Sequence, residues 1–200
     1  MSVKISIIDY GAGNLRSVEN TLSEIGAEYQ VIRTPEEVLA ATRLILPGVG
    51  HFGQLLRSLD SMQVRGPILE KIRAGVPFLG ICLGLQALFQ SSEEAPELQG
   101  LGVIPGVVKR FGADLRVPHM GWNEIVGCAY GKLTANLGAR PYLYFAHSYY
   151  CPLTESTAAS CSYGVAYTAV LERDNLFGVQ FHPEKSGPVG LRIMRNFVEL

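Results

Sequence analysis

With 200 residues, the chain is long enough for one domain with a sizeable core and short for two. Apolar residues make up 48% and charged residues 18%, a balance suited to a sheet covered on both faces. A net charge of −1 with scattered basic residues supplies no electrostatic ground for binding nucleic acid or an acidic membrane, and no apolar run approaches the ~18 residues of a membrane span.

The first half alternates strand and helix signals. Val3–Asp9 reads as a short apolar strand, too short and too soon followed by a carboxylate for a secretory signal, which predicts a cytoplasmic protein. Asn14 can cap a helix carrying Leu15, Val18, Leu22 and Ile25 at helical spacing, with Gly26 at its end. Tyr29–Arg33 reads as a strand, Pro35–Ala40 as a short helix and Arg43–Leu46 as a strand. Helical regions follow at Gln54–Leu59 and Ile68–Ala74, then a buried strand at Val76–Ile81 and a helix over Gly84–Gln90. This rhythm predicts βαβ units and a parallel sheet whose function lies at the carboxyl ends of its strands.

The second half changes character. Val107–Arg110, Trp122–Val126, Tyr142–His147, Cys161–Thr168 and Leu176–Phe181 read as strands with little helix between them, which predicts antiparallel additions to the sheet edge. A last helix, Pro188–Val198, carries Leu191, Met194, Phe197 and Val198 on one face. The expected architecture is α/β: a single domain over 1–200, with an open, mostly parallel twisted sheet flanked by helices and antiparallel strands added from the C-terminal half.

Chemistry concentrates at Gly80-Ile81-Cys82-Leu83-Gly84. A buried strand runs into a cysteine with glycine at both second neighbours, and a helix begins at once. This is the pattern of a nucleophile elbow. The turn pushes the side chain out at the sheet edge, the glycines let neighbouring backbone pass, and the helix N-terminus favours a thiolate. The Leu83 N–H then faces any oxyanion formed there. A cysteine nucleophile needs a base and a group to orient it. His182-Pro183-Glu184 follows an apolar strand, and residues two apart in an extended chain point the same way; Pro183 favours an extended residue before it. His182 can thus face Cys82 with Glu184 beside its ring.

His51, after a glycine turn, His119, in a loop, and His147, in an aromatic strand, read as structural or as contacts to a substrate or partner. Cys128, Cys151 and Cys161 read as small buried hydrophobes with free thiols. No close Cys/His pairing has ligand spacing, so no metal is expected, and no cofactor either. Gly48-Val49-Gly50-His51-Phe52-Gly53 matches G-x-G-x-x-G, with Glu70 near the distance of a ribose contact. That fingerprint belongs to a first βα turn, and here the first turn, 9–14, lacks the third glycine. Pro47-Gly48-Val49-Gly50 is better suited to offering backbone N–H groups to an oxyanion.

The segment Gly80-Ile81-Cys82-Leu83-Gly84-Leu85-Gln86, with His182-Pro183-Glu184, resembles the triad class of glutamine amidotransferases. Further segments are similar to one family within it, the glutaminase subunits of imidazole glycerol phosphate synthase. They are Ile8-Asp9-Tyr10-Gly11-Ala12-Gly13-Asn14-Leu15, Leu46-Pro47-Gly48-Val49-Gly50, His119-Met120-Gly121-Trp122-Asn123, Tyr144-Phe145-Ala146-His147-Ser148-Tyr149-Tyr150 and His182-Pro183-Glu184-Lys185-Ser186. Leu85 replaces a methionine common in the family's elbow, a conservative change. The resemblance runs nearly end to end.

The resemblance implies that Cys82 attacks the side-chain carboxamide of glutamine and that Leu83 and the Gly48, Val49 and Gly50 loop hold the oxyanion. His182 would protonate the leaving ammonia and later activate water, with Glu184 orienting it. Gln86 and the backbone of Ser148 and Tyr149 would grip the substrate. It further implies a partner, a (β/α)₈-barrel cyclase forming a heterodimer with this chain and using the ammonia in histidine biosynthesis. Trp122 and Asn123, with Tyr142, Tyr144, Tyr149 and Tyr150 near them in sequence, are the aromatic and polar residues an interface favours; Tyr142 and Tyr144 suit a core strand equally. Rival readings are a glutaminase for vitamin B6 or anthranilate synthesis, a cysteine peptidase and a non-catalytic module of the same fold.

Overall fold

The computed structural model describes residues 4–11, 14–127, 131–138 and 140–200; Val3, Ala12, Gly13 and Cys128 of the expectations above lie outside them. Strand β1 (Ile5–Ile8), helix α1 (Leu15–Glu24), β2 (Tyr29–Ile32), α2 (Pro35–Ala40), β3 (Leu44–Leu46), α3 (Phe52–Ser61), α4 (Arg65–Arg73) and β4 (Phe78–Ile81) make up the alternating half. After the single-turn α5 (Leu83–Gln86) come β5 (Phe89–Ser92), β6 (Ile104–Arg110), β7 (His119–Glu124), β8 (Tyr142–His147) and β9 (Tyr149–Tyr150). The chain closes with β10 (Thr157–Tyr163), β11 (Val165–Arg173), β12 (Leu176–Val179), a 3₁₀ turn (Pro183–Lys185) and α6 (Gly187–Glu199).

The main sheet has seven strands in the order β10-β11-β12-β4-β3-β1-β2. Pairing is parallel from β2 to β12, and β11 and β10 are antiparallel additions at one edge. The architecture is therefore α/β as expected, but of the strands expected as antiparallel edge additions only those spanning Cys161–Thr168 are so placed: β12 enters the sheet parallel to β4, and β6, β7 and β8 belong to two smaller sheets, β5-β6-β9 and β7-β8. Alternate residues of each central strand enter opposite cores, as the pleat requires. Leu44, Leu46 and Phe78 pack with Val38, Leu55, Leu56, Leu59, Ile68 and Ile72 of α2, α3 and α4. Ile45, Leu79 and Ile81 pack with Val18 and Leu22 of α1 and with Ile193, Met194 and Phe197 of α6. Local chemistry agrees with these placements. Thr34 caps α2 by accepting from the Glu37 N–H, and Glu37 returns the bond to the Thr34 N–H, a reciprocal capping box.

Some expectations need correction. The helix expected over Gly84–Gln90 is one turn long, because the backbone beyond it is captured elsewhere. Ala87 and Leu88 carbonyls accept from Leu101 and Ile104, and Phe89–Ser92 pairs with β6 as a strand. The single strand expected over Cys161–Thr168 is a hairpin, broken at Gly164, whose φ of +67° lets Tyr163 and Val165 face each other. His119 is not in a loop but opens β7, opposite His147 of β8, and Trp122 and Asn123 lie on that same ribbon. In α6 the buried face is Gly190, Ile193, Met194 and Phe197, with Leu191 only half-buried.

Candidate active site

β4 sits in the middle of the sheet, hydrogen-bonded to β3 on one side and β12 on the other, with Gly80 opposite both Leu46 and Gly178. At its carboxyl end the Cys82 N–H still donates to the Val179 carbonyl at 2.7 Å, and there the chain turns sharply. Cys82 has φ +52° and ψ −104°, a conformation that L-residues avoid and that holds only where its surroundings enforce it. The enforcement comes from close backbone approach. A Cβ on Gly84 would stand 2.0 Å from the Leu46 carbonyl oxygen, and one on Gly48 would stand 2.6 Å from both the Gly84 nitrogen and the Leu83 Cβ. Glycine is thus required where the elbow meets the loop after β3. Because α5 is a single turn, the favourable field at the sulfur comes from its free N–H groups more than from a long helix dipole.

β12 delivers the second part of the site. His182 follows it, and its N–H donates to the Tyr144 carbonyl at 2.9 Å. The ring faces the cavity together with Cys82 and hydrogen-bonds Glu184, Nδ1 to Oε1 at 2.8 Å, with both side chains of that pair almost fully buried. The expected extended geometry is not what joins them: Pro183 and Glu184 lie in a 3₁₀ turn, which folds residue i+2 back beside i. The Ser186 hydroxyl holds that turn, donating to the His182 carbonyl at 2.6 Å and accepting from the Tyr144 N–H at 3.0 Å. Burial disfavours a charge on His182. Interaction with Cys82 and with the Glu184 carboxylate outweighs burial and raises its pKa to about 10. Nδ1 carries a proton toward a carboxylate, leaving the other nitrogen for proton transfer at the sulfur.

A cavity of about 170 Å³ opens over Cys82, lined by Val49, Gly50, Leu83, Gln86, Glu94, Pro118, Met120, Ala146, His147, Ser148, Tyr149 and His182. It is smaller than the roughly 300–1,000 Å³ of drug-sized pockets, and suits a small metabolite. The Gln86 amide nitrogen donates to the Tyr149 carbonyl at 2.9 Å and to the Gln180 carboxamide oxygen at 3.2 Å. Both donors are thereby used, so Gln86 can serve a ligand only as an acceptor, through Oε1. The Tyr149 carbonyl is also engaged by His147 Nδ1 at 2.8 Å, so it is turned into the protein rather than offered to a ligand.

The Gly48–Gly50 loop borders the cavity, but the Val49 N–H donates to the Tyr10 hydroxyl at 3.2 Å, and that hydroxyl donates to the Val49 carbonyl at 3.3 Å. Burial raises the Tyr10 pKa to about 12, so the phenol is neutral and able to do both. Glu94 brings a carboxylate to the cavity wall and is fixed by the Phe52 N–H at 2.7 Å.

The remaining histidines take structural places. His51 caps α3 by accepting from the Gly53 N–H at 3.0 Å. His119 is sandwiched between Tyr163 and Phe145, at centroid distances of 4.0 and 5.1 Å, and burial lowers its pKa to about 4. His147, deeper still, is lowered to about 3 by burial; since the Tyr149 carbonyl can only accept, its proton is on Nδ1. Cys151 and Cys161 are buried free thiols. Trp122 is 56% exposed, beside Met120 at 65% and Tyr142 at 55%; Tyr144, its ring 6.1 Å from Trp122, is half-buried. Asn123 instead braces the ribbon, donating to the Ser162 carbonyl at 3.1 Å.

Sequence reasoning missed Tyr10, Glu94 and Gln180. Gln180 left a signal as an amide inside the apolar run Leu176–Phe181, and Tyr10 lies within the segment Ile8–Leu15 that carries the resemblance, but neither signal assigns a role.

An elbow cysteine at the carboxyl edge of a parallel sheet, with His-x-Glu after the neighbouring strand, is the arrangement of a cysteine triad: nucleophile, base and orienting carboxylate. The family model described as glutamine amidotransferase class-I matches residues 6–200. The chain is 48% identical to the imidazole glycerol phosphate synthase subunit HisH of Methanothermobacter thermautotrophicus, over 98% of each chain. It is 47% identical to the subunit of the same name from Geobacter sulfurreducens, covering 98% of this chain and 99% of that one. Among solved structures, one described as PurLQS from Thermotoga maritima superposes with a TM-score of 0.78 at 18% identity, over 100% of this chain and 99% of that one. Another, described as a glutamine amidotransferase, gives 0.76 at 20% identity over 98% and 97%; both likenesses speak for the fold. The chain belongs to the HisH family of imidazole glycerol phosphate synthase subunits, within the class-I glutamine amidotransferases.

Proposed function

We propose that this chain, acting as one amidotransferase domain over 1–200, hydrolyses the side-chain amide of glutamine and passes the ammonia to a partner. The Cys82–His182–Glu184 arrangement at the floor of a small cavity carries the reading. Cys82 Sγ, as the thiolate, attacks the carboxamide carbon, and the Leu83 N–H with one N–H of the Gly48–Gly50 loop takes the negative charge of the tetrahedral oxygen. The C–N bond breaks as His182 gives its proton to the leaving nitrogen. The γ-glutamyl thioester then meets water, His182 removes a proton from it, and glutamate leaves as the sulfur recovers its electron pair. Glu184 holds the ring and stabilises its positive form. The Gln86 oxygen and the Glu94 carboxylate are acceptors suited to the substrate's amine, with the Ser148–Tyr149 backbone closing the wall.

The partner is a (β/α)₈-barrel cyclase, and the pair makes imidazole glycerol phosphate and aminoimidazole carboxamide ribotide for histidine synthesis in the cytoplasm. Two observations support it: the relatives' name as synthase subunits, and the exposed Met120, Trp122 and Tyr142 on the ribbon at the cavity mouth. Ammonia released to neutral water would be protonated and lose its nucleophilic lone pair, so a covered mouth serves the reaction. Glutamine turnover of the reconstituted pair, wild type against Cys82→Ala, tests the reading. Loss of ammonia release in the variant is expected; unchanged release would overturn it.

A further inference from the structure

Gln180 lies directly after β12, between the strand and His182. It is completely buried, and its N–H donates to the Ala169 carbonyl at 2.9 Å, which holds it in register with β11. A carboxamide with no access to water must find partners for both ends. The orientation of this one follows from a chain of bonds that can run only one way. The Tyr149 carbonyl can only accept, so Gln86 turns its nitrogen toward it. The second proton of that nitrogen needs an acceptor, and Gln180 supplies its oxygen at 3.2 Å. The Gln180 nitrogen is thereby left facing Cys82 Sγ, at 3.6 Å.

We propose that Gln180 is a positioning residue of the amidase site, donating to the Cys82 sulfur and tying it to Gln86. This deepens the reading above and rests on it for the role of Gln86. An uncharged donor held in a dry pocket favours the sulfur anion over the thiol, without competing with His182 for a carboxylate. The bond also fixes where the lone pair points. A single amide thus couples the nucleophile to a residue of the cavity wall, so that the two keep their relative position as substrate enters.

The test uses Gln180→Leu, which removes the donor at similar size, and Gln180→Glu, which puts an oxygen where the NH₂ was. Alkylation of Cys82 by iodoacetamide is followed from pH 6 to pH 10, alongside kcat and KM for glutamine in the complex with the cyclase. The other titratable groups around the sulfur, His182, Tyr10, Cys151 and Tyr167, are the same in all variants. Loss of one neutral hydrogen bond predicts alkylation of Gln180→Leu about three- to tenfold slower at pH 7, converging on wild type by pH 10. For Gln180→Glu a larger deficit is expected, and for both a fall in kcat with KM changed less than about threefold. Equal alkylation profiles with wild-type kcat in a folded variant would overturn the proposal, as would a uniform loss at every pH, the mark of a merely structural residue. If one variant does not fold, the other decides. Alkylation needs no substrate, so failure of glutamine turnover in the wild-type complex would count against the proposed function and leave the Gln180 comparison standing.

Discussion

The Tyr10 hydroxyl holds Val49 by both of its polar backbone groups, accepting from the N–H at 3.2 Å and donating to the carbonyl at 3.3 Å. Tyr10 follows β1 and Val49 follows β3, adjacent strands of the sheet, so the grip is built into the fold. It also turns one N–H of the proposed oxyanion loop away from that task. The isolated chain is therefore expected to release ammonia slowly. Tyr10→Phe frees both groups of Val49, and it should raise glutamine hydrolysis by the chain alone several-fold while lowering stability by about 1 kcal/mol. Ammonia release measured with and without the partner checks this; a variant slower than wild type when alone would refute it.

The three buried histidines should titrate far apart. His182, at about 10, stays protonated at pH 8, while His119 and His147, at about 4 and about 3, are neutral there. The stability that His182 contributes is complete below its unfolded value of about 6.5 and is lost as pH rises toward about 10. His119 and His147 work in the other direction. Their contribution is complete above about 6.5 and is lost as pH falls toward their folded values. Histidine NMR titration and denaturation midpoints from pH 4 to 10 test both limbs; a His182 resonance titrating near 6.5 would contradict the first.

Strain at the elbow predicts an inversion of the usual order of substitutions. Alanine is ordinarily more stabilising than glycine, yet at φ +52° only glycine rests without strain. Both Cys82→Gly and Cys82→Ala should be inactive, with the glycine variant more stable by about 1 kcal/mol. Urea midpoints of the two proteins decide, and a more stable alanine variant would mean the backbone at 82 is relaxed.

Glu184→Gln keeps the shape of the pair but removes the charge that stabilises the imidazolium. Steady-state kinetics in the complex should show kcat down about 100-fold with KM little changed, within the range of a lost acid–base function. A loss confined to KM would assign Glu184 to substrate binding instead.

Trp122→Ala tests the partner surface. An exposed aromatic that becomes an interface anchor is worth about 2 kcal/mol of binding, so affinity for the cyclase should fall about thirtyfold with the thermal midpoint unchanged. Calorimetric titration against the barrel subunit measures it, and undiminished affinity would remove Trp122 from the interface.

The elbow was readable because Gly80-x-Cys82-x-Gly84 after an apolar strand is a local pattern, although the backbone that demands glycine at 84 is the remote Leu46 carbonyl; His182 and Glu184 were readable because an apolar strand announces where a polar pair must emerge. The length of α5 was not readable, since it is decided by the bonds that Leu101 and Ile104 make to carbonyls well upstream. The hairpin at Gly164 was hidden because a lone glycine in a β-rich run reads equally well as a bulge. Gln180, Glu94 and Tyr10 owe their places to neighbours remote in the chain, at Gln86, Phe52 and Val49, and local pattern carries no trace of such meetings.

The pairing of β4 with β12 has a consequence for how the site comes into being. β3 lies shortly before β4 in the sequence, but the strand that brings the base to Cys82 comes only after β5 to β11. Until β12 slots in beside β4, the sulfur has no imidazole next to it and its turn lacks the Val179 carbonyl. A chain cut before β12 is therefore expected to carry a chemically quiet thiol, because nucleophile and base meet only across the finished centre of the sheet.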